Sequence, residues 1–598
     1  MLLSARTLAS VVRAVKRVAF AAQFRVALCG THTFEPLDAY LRAHGAFIVM
    51  GIDTYVAPYG QYMQQLLVDD SDLLRFDPHL IAVSCSLRQI APRLYSDFGA
   101  ATDAELRAER ERIVDHLSKV ADSAASRSTA LVLVSNFPRP ASPALGIADA
   151  KQPIGEMEFY LELNLELIKR FRGTDRVHIL DLDRLIGGVR PVSSERMYFL
   201  AKSIWDETEC NAIADELLRF VVAGTGRTRK CLVVDLDNTL WKGVVGEDGP
   251  MGVEVGPGSA VGEAFLSHQF AIRALKHRGI MLAICSKNNP SDVDELFLQR
   301  TDMPLKKDDF LAASIGWGDK ASGLQQIAEQ LNICADSFVF LDDNPAERAI
   351  VRGELPAVAV PELPIDPAYF ATFLRRQVYF EKLRINSDDL FRLQDYGAQS
   401  GREQLRAEAR DLDSYLASLE TRVLVRPANR SDLARVHELF NKTNQFNLTT
   451  RRYSLAEVQS FLDSTDTHLG VVIARDQFGP MGTVGVYLLR NHGNEVVLDS
   501  LLLSCRALGR GIGTATMNCA KQEVQAHFGC GRMIAQFIPT AKNQPAAGFL
   551  ARQGLELLQQ DPTGAETYVG AGRGLSPVAC AHVTVEHEGM IDREPEPA

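Results

Sequence analysis

Several things are missing from this 598-residue chain, and each absence excludes something. None of the ten cysteines stands at CxxC spacing, so no disulfide framework is indicated. Cys85, Cys231 and Cys285 end or begin apolar runs, where a reduced thiol behaves as a small hydrophobe; that usage fits a cytoplasmic protein. A basic excess is also missing. Sixty-four Lys and Arg against 75 Asp and Glu leave a net charge of −11, which argues against a general nucleic-acid binder. A local basic patch for an acidic partner remains open. No apolar run approaches the length of a membrane span, so no membrane association is expected. The opening stretch MLLSARTLASVVRAVKRVAFAAQ is apolar at helical spacing but is interrupted by Arg13, Lys16 and Arg17. It predicts an amphipathic helix packed on the first domain rather than a secretory signal. No repeat recurs at a solenoid period.

What is present is ordinary globular composition, 46% apolar and 23% charged, in a chain long enough for three or four domains. Residues 1–225 alternate short apolar runs (VALCG, LIAVSC, ALVLVS, VHILDL) with helical patterns, which predicts a parallel sheet with helices on both faces. Residues 226–377 repeat that alternation through CLVVD, MLAICS, FLAAS and SFVFLDD, and the Pro-rich LPAVAVPELP closes them. A charged helical connector follows over 378–420, then a mixed α+β block over 421–585. The tail 586–598 is acidic, contains proline, and is expected to be disordered. The fold class is therefore α/β and multidomain: two Rossmann-like parallel-sheet domains, then a mixed α+β domain.

CLVVDLDNTLWKGVVGEDG (231–249) carries the first chemical signal. Two carboxylates, Asp235 and Asp237, leave the carboxyl end of a strand one residue apart. Like charges that close oppose each other's ionisation unless something uses them. Open α/β sheets place ligands at strand carboxyl ends, and the following strands deliver Ser286, then Asp342 and Asp343, to that edge. Lys320 opens a helix between them. Four carboxylates, a hydroxyl and an ammonium, without His or thiolate at ligand spacing, favour Mg2+ and suit a phosphoryl group. Asp235 is then the nucleophile and Asp237 the acid for the leaving oxygen. Ser286 and Lys320 hold phosphoryl oxygens, and Asp342 and Asp343, together with Asp235 and Asp237, hold the metal. The neighbours Asn238, Trp241, Lys287 and Asn288 are expected against the substrate. Neither gap between motifs holds an inserted cap, so the crevice should stay open to a substrate on a macromolecular carrier.

This constellation resembles the haloacid dehalogenase (HAD) superfamily, whose DxDx[TV] motif is met by Asp235, Asp237 and Thr239. DLDNTLWKGVVGEDG, LAICSKNNP and FVFLDDNPAER, together with NKTNQFNLTTRRYS and SCRALGRGIG, resemble the FkbH-like group within it. That resemblance implies an enzyme that dephosphorylates 1,3-bisphosphoglycerate and places the glyceryl group on the phosphopantetheine thiol of an acyl carrier protein for polyketide assembly. The partners it implies are therefore a carrier protein and a phosphorylated three-carbon substrate. Lys242 stands where many relatives have glycine, and either meets substrate phosphate or faces water. Cys285 either carries a glyceryl thioester, activated near Lys287, or is a buried strand-end thiol. Two other readings stay open: a plain Mg2+ phosphatase, and an N-acetyltransferase with the HAD-like block as scaffold.

In the third block RALGRGIG places Arg506, Gly509, Gly511 and Gly513 between a strand and a helix, where amides can meet a pyrophosphate. This turn, with Asn543 in KNQPAAGFLARQGL, resembles the GNAT acetyltransferase fold and implies a coenzyme A or phosphopantetheine site. Asn444 and Asn447 either contact substrate or make turns; Ser454 with Glu457 reads as a helix capping box. The first block is distantly similar to SGNH hydrolases. LCGTHTFEP offers Thr31 and His32 where that fold presents a nucleophilic serine, and Asn136 is a candidate oxyanion donor. Without the serine, the expectation is a degenerate docking or structural domain in which His32 is a surface residue.

Overall fold

The computed structural model describes residues 8, 11, 13, 20, 23–187, 192–385 and 387–586. The amphipathic N-terminal helix and the acidic tail beyond residue 586 thus fall almost wholly outside the described residues. The chain divides into two compact units, one of Met1–Gly224 with Ser454–Glu457, the other of Thr225–Tyr453 with Val458–Ala598.

The first unit holds five strands, β1 (Gln23–Gly30), β2 (Gly51–Val56), β3 (Leu80–Ser84), β4 (Leu131–Ser135) and β5 (Val177–Leu180). They form a sheet of order β2-β1-β3-β4-β5, parallel throughout. β3 and β4 are buried along their whole length, which is why LIAVS and LVLVS read as continuous apolar runs rather than alternating ones. Helices fill the crossovers; the longest, Asp103–Arg127, starts at a capping box in which Thr102 and Glu105 satisfy each other's backbone N–H. At the exit of β1 the chain passes so near β3 that a Cβ on Gly30 would lie 1.7 Å from the Ser84 carbonyl oxygen.

The second unit holds two sheets. β6 (Cys231–Val234), β7 (Met281–Ser286), β8 (Ala312–Ile315) and β9 (Phe338–Leu341) form a parallel sheet of order β8-β7-β6-β9. Register decides what this sheet presents. Val234 lies beside Ile284 on one neighbour and Leu341 on the other. Asp235, Cys285–Ser286 and Asp342 therefore leave the sheet at one level. Between β6 and β7 stand only the short helix Val245–Asp248 and the helix Ala260–His277; between β7 and β8, the helix Pro290–Gln299 and one 3-10 turn.

Helices Ser387–Gly397, Gln399–Glu408 and Leu412–Ser418 lead to a nine-stranded sheet. Its strands are β10 (Thr421–Pro427), β11 (Phe446–Asn447), β12 (Thr467–Asp476), β13 (Gly479–Asn491), β14 (Val496–Leu503), β15 (Arg532–Phe537), β16 (Glu556–Gln560), β17 (Glu566–Ala571) and β18 (Val583–Glu586). Their order is β16-β17-β15-β14-β13-β12-β10-β18, with β11 against β14. β14 and β15 run parallel and pair only over Val496–Leu498 with Met533–Ala535, after which they part. β18 adds a parallel edge beside β10.

Candidate active site

Asp235, Asp342 and Asp343 follow adjacent parallel strands, and one carboxylate oxygen from each lies within 4.8 Å of the other two. Lys320 is the first residue of the helix Lys320–Gln330, whose N-cap Asp319 accepts from Ser322 N. Its Nζ donates to Asp235 Oδ1 at 2.5 Å and to the Cys285 carbonyl at 2.7 Å. Asp342 Oδ2 is ion-paired to the same Nζ at 3.2 Å, and no partner of this buried oxygen meets hydrogen-bond geometry. These groups line an open cavity of about 350 Å³, joined by Asp237, Ser286 and Asn238.

The electrostatics follow from burial. Asp342 is 1% exposed, and desolvation followed by the charge on Asp235 pushes its pKa up to about 6. The same two causes raise Asp343. Burial works against the Lys320 ammonium, but Asp235 and then Asp342 outweigh it, so its pKa is raised. At about 4 Å and an effective dielectric near 20, two like charges repel by about 4 kcal/mol. One ammonium among three acids does not cancel that, and the cluster fits a further cation.

Around this centre lies a positioning shell. Asp237 Oδ1 accepts from Trp241 Nε1 (2.9 Å) and Val245 N (3.1 Å), and Oδ2 accepts from Asn288 Nδ2 (3.0 Å). Burial raises the Asp237 pKa, and those three donors oppose it. Thr239 Oγ1 accepts from Asp343 N. Arg348 donates to the carbonyls of Asp342 and Asp343, and Asn344 N donates to Asp342 Oδ1.

In the other sheet, Gly511 (φ +78°) is the N-cap of the helix Ile512–Ala526, and Gly509 (φ +72°) precedes it with open space where a Cβ would stand. Glycine adopts this left-handed conformation without a Cβ clash, and the first N–H groups of the helix that follows lack partners within the helix.

Residues 433–555 match the acetyltransferase (GNAT) family. This domain is GNAT-like. The chain is also similar to the crystallised N-terminal part of a Bacteroides fragilis protein, which contains a phosphatase domain complexed with Mg. The two are 28% identical with a TM-score of 0.55, over 63% of this chain and 99% of that one. The ribosomal-protein-S18-alanine N-acetyltransferase of Escherichia coli aligns with 26% of this chain and 96% of its own, at 11% identity and a TM-score of 0.20. No curated protein matches the chain in sequence. The phosphatase-domain and GNAT likenesses support an enzyme. No helix among the described residues is long and apolar enough to cross a membrane.

Several expected contacts are corrected. Asp237 is not among the three clustered carboxylates; its oxygens accept from Trp241, Val245 and Asn288, and it lines the cavity beside them. Trp241, Thr239 and Asn288 are buried and do not line the cavity; Trp241 and Asn288 donate to Asp237, and Thr239 accepts from Asp343 N. Lys287 borders the cavity, ion-paired to Glu347 at 2.6 Å. Lys242 Nζ donates to Asn238 Oδ1, and Asn238 is held at φ +55°. Cys285 is 2% exposed and donates to the Lys320 carbonyl; burial pushes its pKa up to about 12, which removes the basis for an acyl-carrying thiolate.

The GNAT-like domain brings its own corrections. Arg506 is 8% exposed, ion-paired to Asp395 and donating to the Met481 carbonyl, so it braces the connector rather than the glycine turn. Gly513 packs toward Leu503. Asn543 is fully buried: its Nδ2 donates to the carbonyls of Asn447 and Ile538 and its Oδ1 accepts from Thr540 N. Asn447 ends β11 fully buried, its Oδ1 accepting from Thr449 N and Thr450 N of the turn that follows, and Asn444 accepts from Arg452. In the first unit His32 is 1% exposed against Phe34 and Trp205, which corrects its expected surface position. Asn136 is tied to Asp181 and Asp183 N, so its amide is spent on the strand end. Sequence reasoning missed Glu347 and Arg348. Both lie in FVFLDDNPAER, where only the aspartates drew attention.

Proposed function

We propose that the crevice at β6, β7 and β9 performs Mg2+-dependent phosphoryl chemistry on a phosphorylated three-carbon acyl substrate, 1,3-bisphosphoglycerate, and delivers the glyceryl group to an acyl carrier protein. The observation that carries the phosphoryl reading is the convergence of Asp235, Asp342 and Asp343 with Lys320. The buried, hydrogen-bond-free Asp342 Oδ2 and the all-oxygen donor set fit Mg2+, which those three carboxylates would hold. The ion would neutralise charge on the phosphoryl oxygens.

The chain's own groups do the rest. Asp235 attacks phosphorus and forms an aspartyl-phosphate, while Lys320 and Ser286 hold the equatorial oxygens. Asp237, its pKa raised by burial, donates the proton to the leaving oxygen and then takes one from the water that hydrolyses the aspartyl-phosphate. The carrier thiol displaces the acyl phosphate. One bisphosphate, one thiol and one water thus become a thioester and two phosphates. The absence of an inserted cap at the described edge supports a substrate borne on a carrier, and the FkbH-like motifs support the glyceryl group.

The test is intact-mass analysis of a phosphopantetheinylated carrier incubated with bisphosphoglycerate. The expected result is addition of one dephosphorylated glyceryl group, with that adduct and the phosphate released through the aspartyl-phosphate both abolished by Asp235→Asn. Phosphate release without any loading would favour the plain phosphatase, which the Mg-bound phosphatase-domain neighbour also suits. Acetyl-coenzyme A turnover indifferent to Asp235→Asn would favour an acetyltransferase at the Gly509–Gly513 turn.

A further inference from the structure

A second convergence of ligating groups lies in the GNAT-like domain, away from the glycine turn. His468, the second residue of β12, is buried. Glu523 and His527 are four residues apart at the far end of the helix Ile512–Ala526, and so share one helix face. One ligand atom from each of the three lies within 4.8 Å of the other two. His468 Nε2 is 3.9 Å from Glu523 Oε2, and the two imidazole rings are 4.8 Å apart.

We propose that His468, Glu523 and His527 form a site for a borderline divalent transition metal of the Zn2+ class. Two imidazoles and one carboxylate suit Zn2+, Co2+ or Ni2+ far better than Mg2+, which keeps to oxygen. Zn–ligand bonds of about 2.0–2.1 Å put tetrahedral donors roughly 3.3 Å apart, so the present spacing needs only a small rotamer shift. Glu523 and His527 are free to make it, being half-buried and exposed. The carbonyls at a helix C-terminus carry partial negative charge that favours a cation there.

A support lies behind the imidazole. Tyr487 Oη stands 3.3 Å from His468 Nε2, and its ring crosses β12 at Gly470, where a Cβ would come within 2.2 Å of it. Metal binding would exchange that hydrogen bond for a coordinate bond. The ion would join the start of β12 to the last turn of the helix that begins at Gly511.

The experiment is Co2+ titration of the metal-stripped full-length chain, with Mg2+ in large excess to occupy the β6–β9 carboxylates, followed by displacement with Zn2+. One equivalent of Co2+ should give the intense visible bands of a low-coordinate ion. Affinity should fall about 100-fold or more in His527→Ala and in Glu523→Gln. Both changes lie on the accessible helix face, and metal-free melting checks that they leave the fold intact. Asp342→Asn should leave the bands unchanged. Wild-type affinity in His527→Ala, bands lost instead in Asp342→Asn, or no bands in the unaltered chain would overturn the proposal.

Discussion

Asp237 in the crevice owes part of its behaviour to a neighbour that never reaches the cavity. Trp241 is fully buried, yet its Nε1 donates to Asp237 Oδ1. Trp241→Phe keeps an aromatic ring in the core and deletes the donor, leaving the Asp237 carboxylate one charge-assisted hydrogen bond short. At about 1–1.5 kcal/mol for that bond, the Asp237 pKa rises by about one unit. The basic limb of the kcat–pH profile should move upward by that much, and an unmoved limb would show that Asp237 is not the acid. Asp342 gives a second test. Its folded pKa, about 6, lies above the ordinary carboxylate value of 3.8, so the metal-free native state holds a proton that the unfolded chain has released. Between pH 3.8 and about 6 this group makes metal-free stability fall as pH rises. Protons also compete with Mg2+ until Asp342 ionises. The Mg2+-induced rise in Tm should therefore be small at pH 5 and grow through pH 6 to 7.5; a rise independent of pH would exclude Asp342 as a ligand.

At the scale of an element, the helix Ile512–Ala526 depends on its first cap. Gly511 sits at φ +78°, and a Cβ there would lie 3.1 Å from Val583 Cγ2 and 3.3 Å from Cys580 Sγ. Backbone strain and this contact together make Gly511→Val destabilising by about 1–3 kcal/mol, read as a lower urea midpoint. Phosphate release should persist under native conditions, since its residues belong to the other sheet. Loss of phosphate release in a variant that remains folded would tie the two sheets into one active unit. The parallel sheet is the opposite kind of element. Its strands are short and largely apolar, and their register carries Asp235, Ser286 and Asp342 to one edge.

Across the larger unit, the connector is held by a buried ion cluster. Arg402 is 2% exposed and donates to Asp395 Oδ1 (2.6 Å) and Asp476 Oδ2 (2.8 Å); Arg506 and Arg510 reach the same two acids. Replacing Arg402 by Ala leaves two buried carboxylates short of a partner, at a cost of about 3–5 kcal/mol. The expected result is a large drop in the urea midpoint of Arg402→Ala, with Arg402→Lys, which restores one charge without the fork, falling between it and the parent. Equal midpoints for parent and Ala variant would show that the cluster contributes nothing net.

Local pattern was enough for the fold class. Continuous apolar runs alternating with helical stripes specify parallel sheets, because both faces of each strand are covered. A strand-end pair such as Asp235 and Asp237 announces its chemistry through residue type and spacing alone. The division of labour within each motif was beyond reach of sequence. Asp237, Thr239, Trp241, Cys285 and Asn288 all lie within a few residues of Asp235 or Ser286, yet only Asp237 lines the cavity, and its oxygens are held by the shell. Which side chain meets solvent and which meets the core depends on strand register and on helices distant in sequence. Neither leaves a trace in a short stretch of residues. His468 comes within reach of Glu523 and His527 for the same reason, since more than fifty residues of sheet must fold before that helix lies against β12.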